Sequence, residues 1–267
     1  MQPAMRQHVT LRVLRANPTR GTETEFAVYE VPLEPGMTVL SALLYIKERI
    51  DHSLAIRFSC RMASCGSCGM KINGVPKLAC YTQVQEYKGK RITVEPLGNY
   101  PLIRDLVTDF EGFFEKHKKI APFLIRRNAT EQETAESEYQ QTAQDLDGYL
   151  QFSYCIKCGL CNAACPTIAT DSLFTGPQAL TQVYRYLADS RDEGLIQRIS
   201  SVDTEHGVWR CHYAGACSFV CPKGVDPALG IQRLRRLLVT HKQKAGAPLM
   251  PKRRMITKAT SYRSTSV

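Results

Sequence analysis

Residues 155–166 read CIKCGLCNAACP, a complete C-x2-C-x2-C-x3-C-P run, and the organisation of the chain follows from it. That spacing holds cubane iron–sulfur clusters, the first three thiolates on one cluster and the fourth on a second. A partner run is therefore expected, and residues 211–222 supply it as CHYAGACSFVCP. Cys211, Cys217, Cys221 and Pro222 stand in register with the first run, and Ala214 stands where its second cysteine belongs. Crossing the fourth ligands assigns Cys155, Cys158, Cys161 and Cys221 to one cluster and Cys165, Cys211 and Cys217 to the other. The first set has four thiolates and reads as [4Fe-4S]. The second has three. The methyl of Ala214 has no lone pair to offer an iron, a corner without a thiolate is easily lost, and the second site reads as [3Fe-4S].

Upstream lie Cys60, Cys65, Cys68 and Cys80, spaced C-x4-C-x2-C-x11-C. The first part matches the plant-type loop that holds [2Fe-2S] on four thiolates. Gly66 and Gly69 are expected to let the loop backbone approach the sulfurs and direct amides at them. The alternative is structural zinc, which also takes four thiolates but favours paired C-x2-C knuckles, of which this loop has one.

The elements around these motifs follow from periodicity. His8 to Leu14 alternates, with Val9, Leu11 and Val13 on one face, and Phe26 to Val31 is a second strand after a turn region over Arg15 to Glu23. Thr38 caps a helix with Leu40, Leu43, Leu44 and Ile46 along one stripe. Met70 to Ile72, the Asn73-Gly74 turn and Val75 to Ala79 form a hairpin, and Ile92 to Leu97 closes the unit. After Pro101, the residues Ile103, Leu106, Val107, Phe110, Phe113 and Phe114 predict one helix with a packing face. Asn128 to Asp147 carries Glu131, Glu133, Glu136, Glu138, Asp145 and Asp147 with no basic residue, and is expected to be a solvated linker. Beyond it, Thr175 and Gln178 have capping-box spacing ahead of a helix bearing Leu180, Val183, Tyr184 and Leu187. Asp226-Pro227 opens another helix, with Ile231, Leu234, Leu237 and Leu238 inside and Arg233, Arg235 and Arg236 outside.

Length and composition bound the rest. A chain of 267 residues with 43% hydrophobic content buries a core, and two domains are expected. The 11 cysteines are an odd number, and MQPAMRQHVTLRV carries no apolar signal core, so a secreted disulfide framework is set aside. No apolar run reaches membrane-spanning length, the best being Val39 to Ile46, and the chain is expected to be soluble by itself. Lys242, Lys244, Lys252, Arg253, Arg254, Lys258 and Arg263 supply most of the formal charge of +10 from the C-terminal tail. No aromatics interleave with them and no nucleic-acid module accompanies them, so nucleic acid is not expected as a partner. Anionic lipid headgroups or an acidic partner suit the tail, as does a purely solubilising role.

Taken together, SCRMASCGSCG with Cys80, then CIKCGLCNAACP, GPQAL, YRYLADSRD, GVW and CSFVCPKGVDP, resemble the iron–sulfur subunit of succinate dehydrogenase and fumarate reductase. The resemblance runs from about residue 8 to residue 240 and leaves out the basic tail. It implies an α+β chain: an N-terminal β-grasp [2Fe-2S] ferredoxin-like domain over residues 1–127 and an α-helical ferredoxin-like domain over 148–241, with the acidic linker at 128–147 and the tail at 242–267. It also implies a flavoprotein partner carrying FAD, a membrane anchor with haem b where the anchor holds one, and a place on the cytoplasmic face of the cell membrane. Electrons would pass between flavin, [2Fe-2S], [4Fe-4S], [3Fe-4S] and a membrane quinone.

In such subunits the quinone headgroup lies beside positions matching Pro166, Thr170 and His212. Ubiquinone-using relatives commonly have tryptophan where Thr170 stands, and the departure favours a menaquinone-type acceptor. His212, the titratable member of the set, is suited to a quinone proton near neutral pH or simply packs beside the cluster. No G-x-G-x-x-G run appears, so no dicarboxylate or dinucleotide chemistry is expected on this chain. Two rivals are a paired-ferredoxin subunit serving another flavoprotein, where a further cysteine-rich C-terminal domain is common and is not seen here, and a zinc-stabilised binding module.

Overall fold

The computed structural model describes residues 8–128, 137–243 and 256–257. The reading of the basic tail lies outside the described residues apart from its first two positions and Ile256–Thr257, which pairs antiparallel with Ser137–Glu138.

The alternation at the N-terminus becomes β1 (His8–Asn17), whose Val9, Leu11 and Val13 are buried. It turns through Pro18–Arg20 and Gly21, at φ 65°, into the antiparallel β2 (Thr22–Pro32). The turn is shorter than the expected Arg15 to Glu23, because pairing continues through Leu14–Phe26 and Arg15–Glu25 and the Arg12 guanidinium sits 3.6 Å over the Phe26 ring. Thr38 caps α1 (Val39–Tyr45) as expected, its Oγ1 accepting the Ser41 N–H at 3.1 Å. Asn73 and Gly74, at φ 46° and 82°, join β3 (Gly69–Ile72) to β4 (Val75–Leu78). The last strand, β5 (Ile92–Glu95), enters the middle of the sheet, parallel to β1 and antiparallel to β3, and the order is β2-β1-β5-β3-β4. Leu40, Leu43 and Ile46 pack into the core shared with Leu11, Val13, Ile72 and Val94. A helix covering a mixed five-stranded sheet is the β-grasp layer the resemblance implied.

The single helix predicted over Ile103 to Phe114 does not form. Instead β6 (Leu102–Arg104) and β7 (Val107–Thr108) make a small hairpin, and α2 starts only at Glu111 and runs to Lys119. The cause is Asp105, which is 2% exposed and at φ 47°. Its carboxylate accepts from Arg15 Nε (3.1 Å), Ala16 N (3.1 Å) and Ala55 N (2.8 Å). A side chain that satisfies two backbone donors and a guanidinium outweighs a helical period of apolar residues, because the left-handed backbone it requires has no place inside a helix.

Past the acidic stretch, Thr142 and Asp145 cap a short α3 (Ala143–Asp147), which leads to α4 (Leu150–Ser153). The cysteine run carries α5 (Leu160–Ala163) and α6 (Pro166–Thr170). The core of this half lies between α7 (Pro177–Leu187) and α10 (Pro227–Gln243), with α8 (Leu195–Val202) and α9 (Ala216–Phe219) beside them. Phe174, Leu180, Val183, Ile231 and Leu234 are fully buried there. Two details depart from expectation. The Thr175–Gln178 capping box is absent: Gly176 is the N-cap, Thr175 Oγ1 donates to the His206 carbonyl at 3.1 Å, and Asn162 Oδ1 accepts the Gln178 N–H at 3.3 Å. And Arg235 is not on the outer face; its guanidinium donates to the carbonyls of Val208, Trp209 and Cys211, the last at 2.6 Å.

The halves are tied to each other by hydrogen bonds. Asn99 Nδ2 donates to the carbonyls of Asn162, Ala163 and Cys165 at 2.9, 3.2 and 3.0 Å, serving the orphan acceptors at the end of α5. Tyr100 stacks on Phe110 at 4.4 Å and donates to the Gly159 carbonyl at 2.9 Å. The segment after α2 is clasped by Arg198, which is 1% exposed: it donates to the carbonyls of Ile120, Ala121 and Phe123 and pairs with Asp192 at 2.6 Å. No helix among the described residues is long and apolar enough to cross a membrane.

Candidate iron–sulfur centres

The loop between α1 and β3 gathers Cys60, Cys65 and Cys68, and Cys80 comes to it from the end of β4. Arg61 and Ala63, at φ 58° and 56°, turn the chain so that consecutive amides face inward. Cys60 Sγ accepts from the N–H groups of Met62, Ser64 and Cys65 at 3.4, 3.3 and 3.2 Å, and Cys80 Sγ from Ala63 at 3.3 Å. The donors were expected at Gly66 and Gly69. Those glycines serve another purpose: a Cβ on Gly66 would stand 2.6 Å from Cys158 Cβ and one on Gly69 would stand 3.1 Å from Leu160 Cδ2. They let the loop lie against the cysteine run of the second half.

Burial raises the Cys65 thiol, but the Ser67 hydroxyl at 3.0 Å and the N–H groups of Cys60 and Ser67 outweigh it and bring it down to about 6. Cys68, enclosed in the core, is pushed up by burial to about 12. The loop thus offers one thiol ready to ionise at neutral pH and one that gives up its proton only to a bound metal.

The second half closes two thiol-lined cavities. The first is ringed by Cys155, Cys158, Cys161 and Cys221, with Gln178, Pro222, Val225 and Pro227 completing its wall. Burial raises the first three thiols of the run, Cys155 above its ordinary value, Cys158 to about 11 and Cys161 well above its ordinary value. The second cavity is lined by Cys165, Cys211 and Cys217, with Ala214, Gly215 and Ile231 among its walls. Burial pushes Cys217 up to about 11. The alanine of the second run lies on this wall, where the first cavity has a cysteine. Among the described residues no group of three or more His, Cys, Asp or Glu is arranged to hold a single metal ion. A ring of thiols around an enclosed space fits a polynuclear cluster, whose several irons each take one sulfur.

Of the three residues expected near a quinone, Pro166 lines the three-cysteine cavity, while Thr170 and His212 lie outside its wall and are exposed. Thr170 sits one turn along α6 and its hydroxyl donates to the carbonyls of Pro166 and Thr167 at 3.3 and 3.2 Å. Sequence reasoning passed over Asn99, Tyr100 and His117, which support the cavities, and gave Gln178 to a capping box. The only local signal was a polar residue, Gln178, at a core-facing position of an apolar helix.

Residues 10–115 match the 2Fe-2S iron–sulfur cluster binding domain model, and residues 151–225 match the 4Fe-4S dicluster domain model. The fumarate reductase iron–sulfur subunit of Mycobacterium tuberculosis is 44% identical over 240 residues, 90% of this chain and 96% of that protein. The succinate dehydrogenase iron–sulfur subunit of Paracoccus denitrificans is 36% identical over 232 residues, 85% of this chain and 86% of that protein. Among solved structures, a chain of the Mycobacterium smegmatis Sdh1 complex in the apo form superposes with a TM-score of 0.77 at 25% identity, covering 91% of this chain and 99% of that one.

Proposed function

We propose, for a chain that belongs to the family of fumarate reductase and succinate dehydrogenase iron–sulfur subunits, that it carries single electrons between a flavoprotein and a membrane quinone. It is the electron-transfer subunit of an oxidoreductase complex, with a 2Fe-2S domain followed by a 4Fe-4S dicluster domain. In this reading Cys60, Cys65, Cys68 and Cys80 hold [2Fe-2S], Cys155, Cys158, Cys161 and Cys221 hold [4Fe-4S], and Cys165, Cys211 and Cys217 hold [3Fe-4S]. When bound, the clusters supply the one-electron chemistry that no side chain here provides.

The chain's own contribution is threefold. It takes the thiols other than Cys65 partly or wholly out of water, which lessens solvent reorganisation around a moving charge. It aims the N–H groups of residues 62–65 at sulfur, which favours the more negative, reduced state. And it brings the first centre against the second through the Gly66–Cys158 approach. That approach is the observation that carries the reading, because it sets the loop of the first thiol group directly against the cysteine run of the second half. The partners are an FAD-bearing flavoprotein and a membrane anchor, which hold the chain at the cytoplasmic face of the membrane; any haem b belongs to the anchor. Pro166, Thr170 and His212 border the quinone, and Thr170 in place of tryptophan supports a menaquinone-type acceptor.

The test is Cys217→Ser in the assembled complex. A hydroxyl is a far poorer iron ligand than a thiolate, so quinone-linked turnover should fall by at least about tenfold. Flavin-level succinate oxidation with an artificial acceptor should be partly kept, and the [3Fe-4S] EPR signal of the air-oxidised complex should be lost. Equal loss of both activities with the signal intact would count against the assignment.

A further inference from the structure

Gln178 is 2% exposed, and its carboxamide is directed into the wall of the cavity ringed by Cys155, Cys158, Cys161 and Cys221. Its Nε2 carries two hydrogens and has two neighbours. One is His117 Nδ1 at 3.2 Å, supplied by α2 from the first half of the chain; the other is Cys155 Sγ at 4.0 Å. Its Oε1 is buried with no hydrogen-bond partner. A buried acceptor without a donor is costly, so a position that only needed filling would be better served by leucine. The orphaned oxygen is the consequence of turning the nitrogen toward sulfur.

His117 accounts for that orientation. It is 7% exposed, and burial, followed by the charge of Lys157, pushes its imidazole below the ordinary 6.5. A neutral ring that carries its proton on Nε2 offers a lone pair at Nδ1, and only the NH2 end of the carboxamide can meet it. With the amide reversed, the carbonyl oxygen would face the lone pairs of sulfur. An imidazole in that tautomer selects which end of Gln178 reaches the ligand.

We propose that Gln178, oriented by His117, is a positioning residue that donates an N–H to Cys155 Sγ and raises the reduction potential of the [4Fe-4S] cluster held there. The proposal rests on the assignment of Cys155, Cys158, Cys161 and Cys221 to that cluster. The physical cause is that the added electron increases negative charge on sulfur, so a donor aimed at sulfur favours the reduced state.

The measurement is an EPR-monitored redox titration of the purified complex, following the [4Fe-4S] and [2Fe-2S] signals separately. Gln178→Leu keeps the volume and removes the donor. Reduction of the [4Fe-4S] cluster should become about tenfold less favourable, a downward shift of about 59 mV for one electron, with [2Fe-2S] unmoved. His117→Phe, which removes the lock and leaves the amide, should shift the same potential downward by less. Should Gln178→Leu fail to assemble, Gln178→Met, unbranched and equally without a donor, carries the same expectation. An intact [4Fe-4S] signal with an unchanged potential in the Gln178 variant would overturn the proposal. A wild-type complex with no [4Fe-4S] signal would overturn the ligand assignment instead, and the proposal with it.

Discussion

Gly66→Ala should sharply reduce quinone-linked turnover of the complex, although Gly66 is neither a ligand nor a neighbour of quinone. At φ 78° an L-residue is strained by about 1–2 kcal/mol. The added Cβ would also stand 2.6 Å from Cys158 Cβ and 2.8 Å from Cys158 Cα. Backbone cannot swing aside as the end of a flexible side chain does, and overpacking of this kind costs about 1–3 kcal/mol. The two effects together, about 2–5 kcal/mol, fall on the seam between the [2Fe-2S] loop and the cysteine run. Turnover lower by about tenfold or more and a lower unfolding temperature are the expected results. Gly74→Ala is the control that separates strain from contact: Gly74 has φ 82° but nothing within 4 Å of its added Cβ. It should lose about 1 kcal/mol and keep its turnover. Equal behaviour of the two variants would mean that the seam tolerates separation.

Arg198→Met should give the largest loss of stability. The pair Arg198–Asp192 has both side chains at 0% exposure, and the same guanidinium satisfies carbonyls of Ile120, Ala121 and Phe123. Removing the arginine takes the Arg198 guanidinium from a buried carboxylate that keeps the Ile125 and Gly194 N–H groups at 3.0 and 2.8 Å; breaking a buried pair costs about 3–5 kcal/mol in comparable settings. For a chain of this size, that is a fall of about 10 °C in the unfolding temperature. Part of the penalty is the buried carboxylate that has lost its arginine, so Asp192→Asn, which removes the charge and keeps an acceptor for the Ile125 and Gly194 N–H groups, combined with Arg198→Met should regain part of the loss. Thermal unfolding of the wild type, the single variant and the double variant measures this directly; a double variant no better than the single would place the whole effect in the carbonyl clasp.

The reach of sequence reasoning in this chain follows the range of the interactions involved. Cysteine spacing is a local quantity, and it sorts seven cysteines into two groups, with Ala214 in the odd position; the same two groups line the two cavities. Strand alternation over His8 to Leu14 and the Asn73-Gly74 turn are equally legible, since each depends on a few adjacent residues. The reading fails where a distant partner decides the outcome. Asp105 breaks a respectable helical period because Arg15 and Ala16, far back in β1, need its carboxylate. Gln178 looks like half of a capping box because its real neighbours, His117 and Cys155, are remote in sequence. Gly66 and Gly69 are given to the sulfurs because nothing in the loop itself reveals that Cys158 comes to lie beside it.

The strand order carries a consequence for how the chain comes to be folded during synthesis. β1 pairs with β2 and β3 with β4, and within the sheet these two hairpins meet through β5, while the start of α1 hydrogen-bonds to Ala79 and Thr82 just after β4. As the polypeptide emerges from the ribosome, Cys60, Cys65, Cys68 and Cys80 therefore all appear before the strand that completes the sheet between the hairpins. Four thiols exist early as a spacing. The cradle is finished when the sheet's last strand takes its place at the centre.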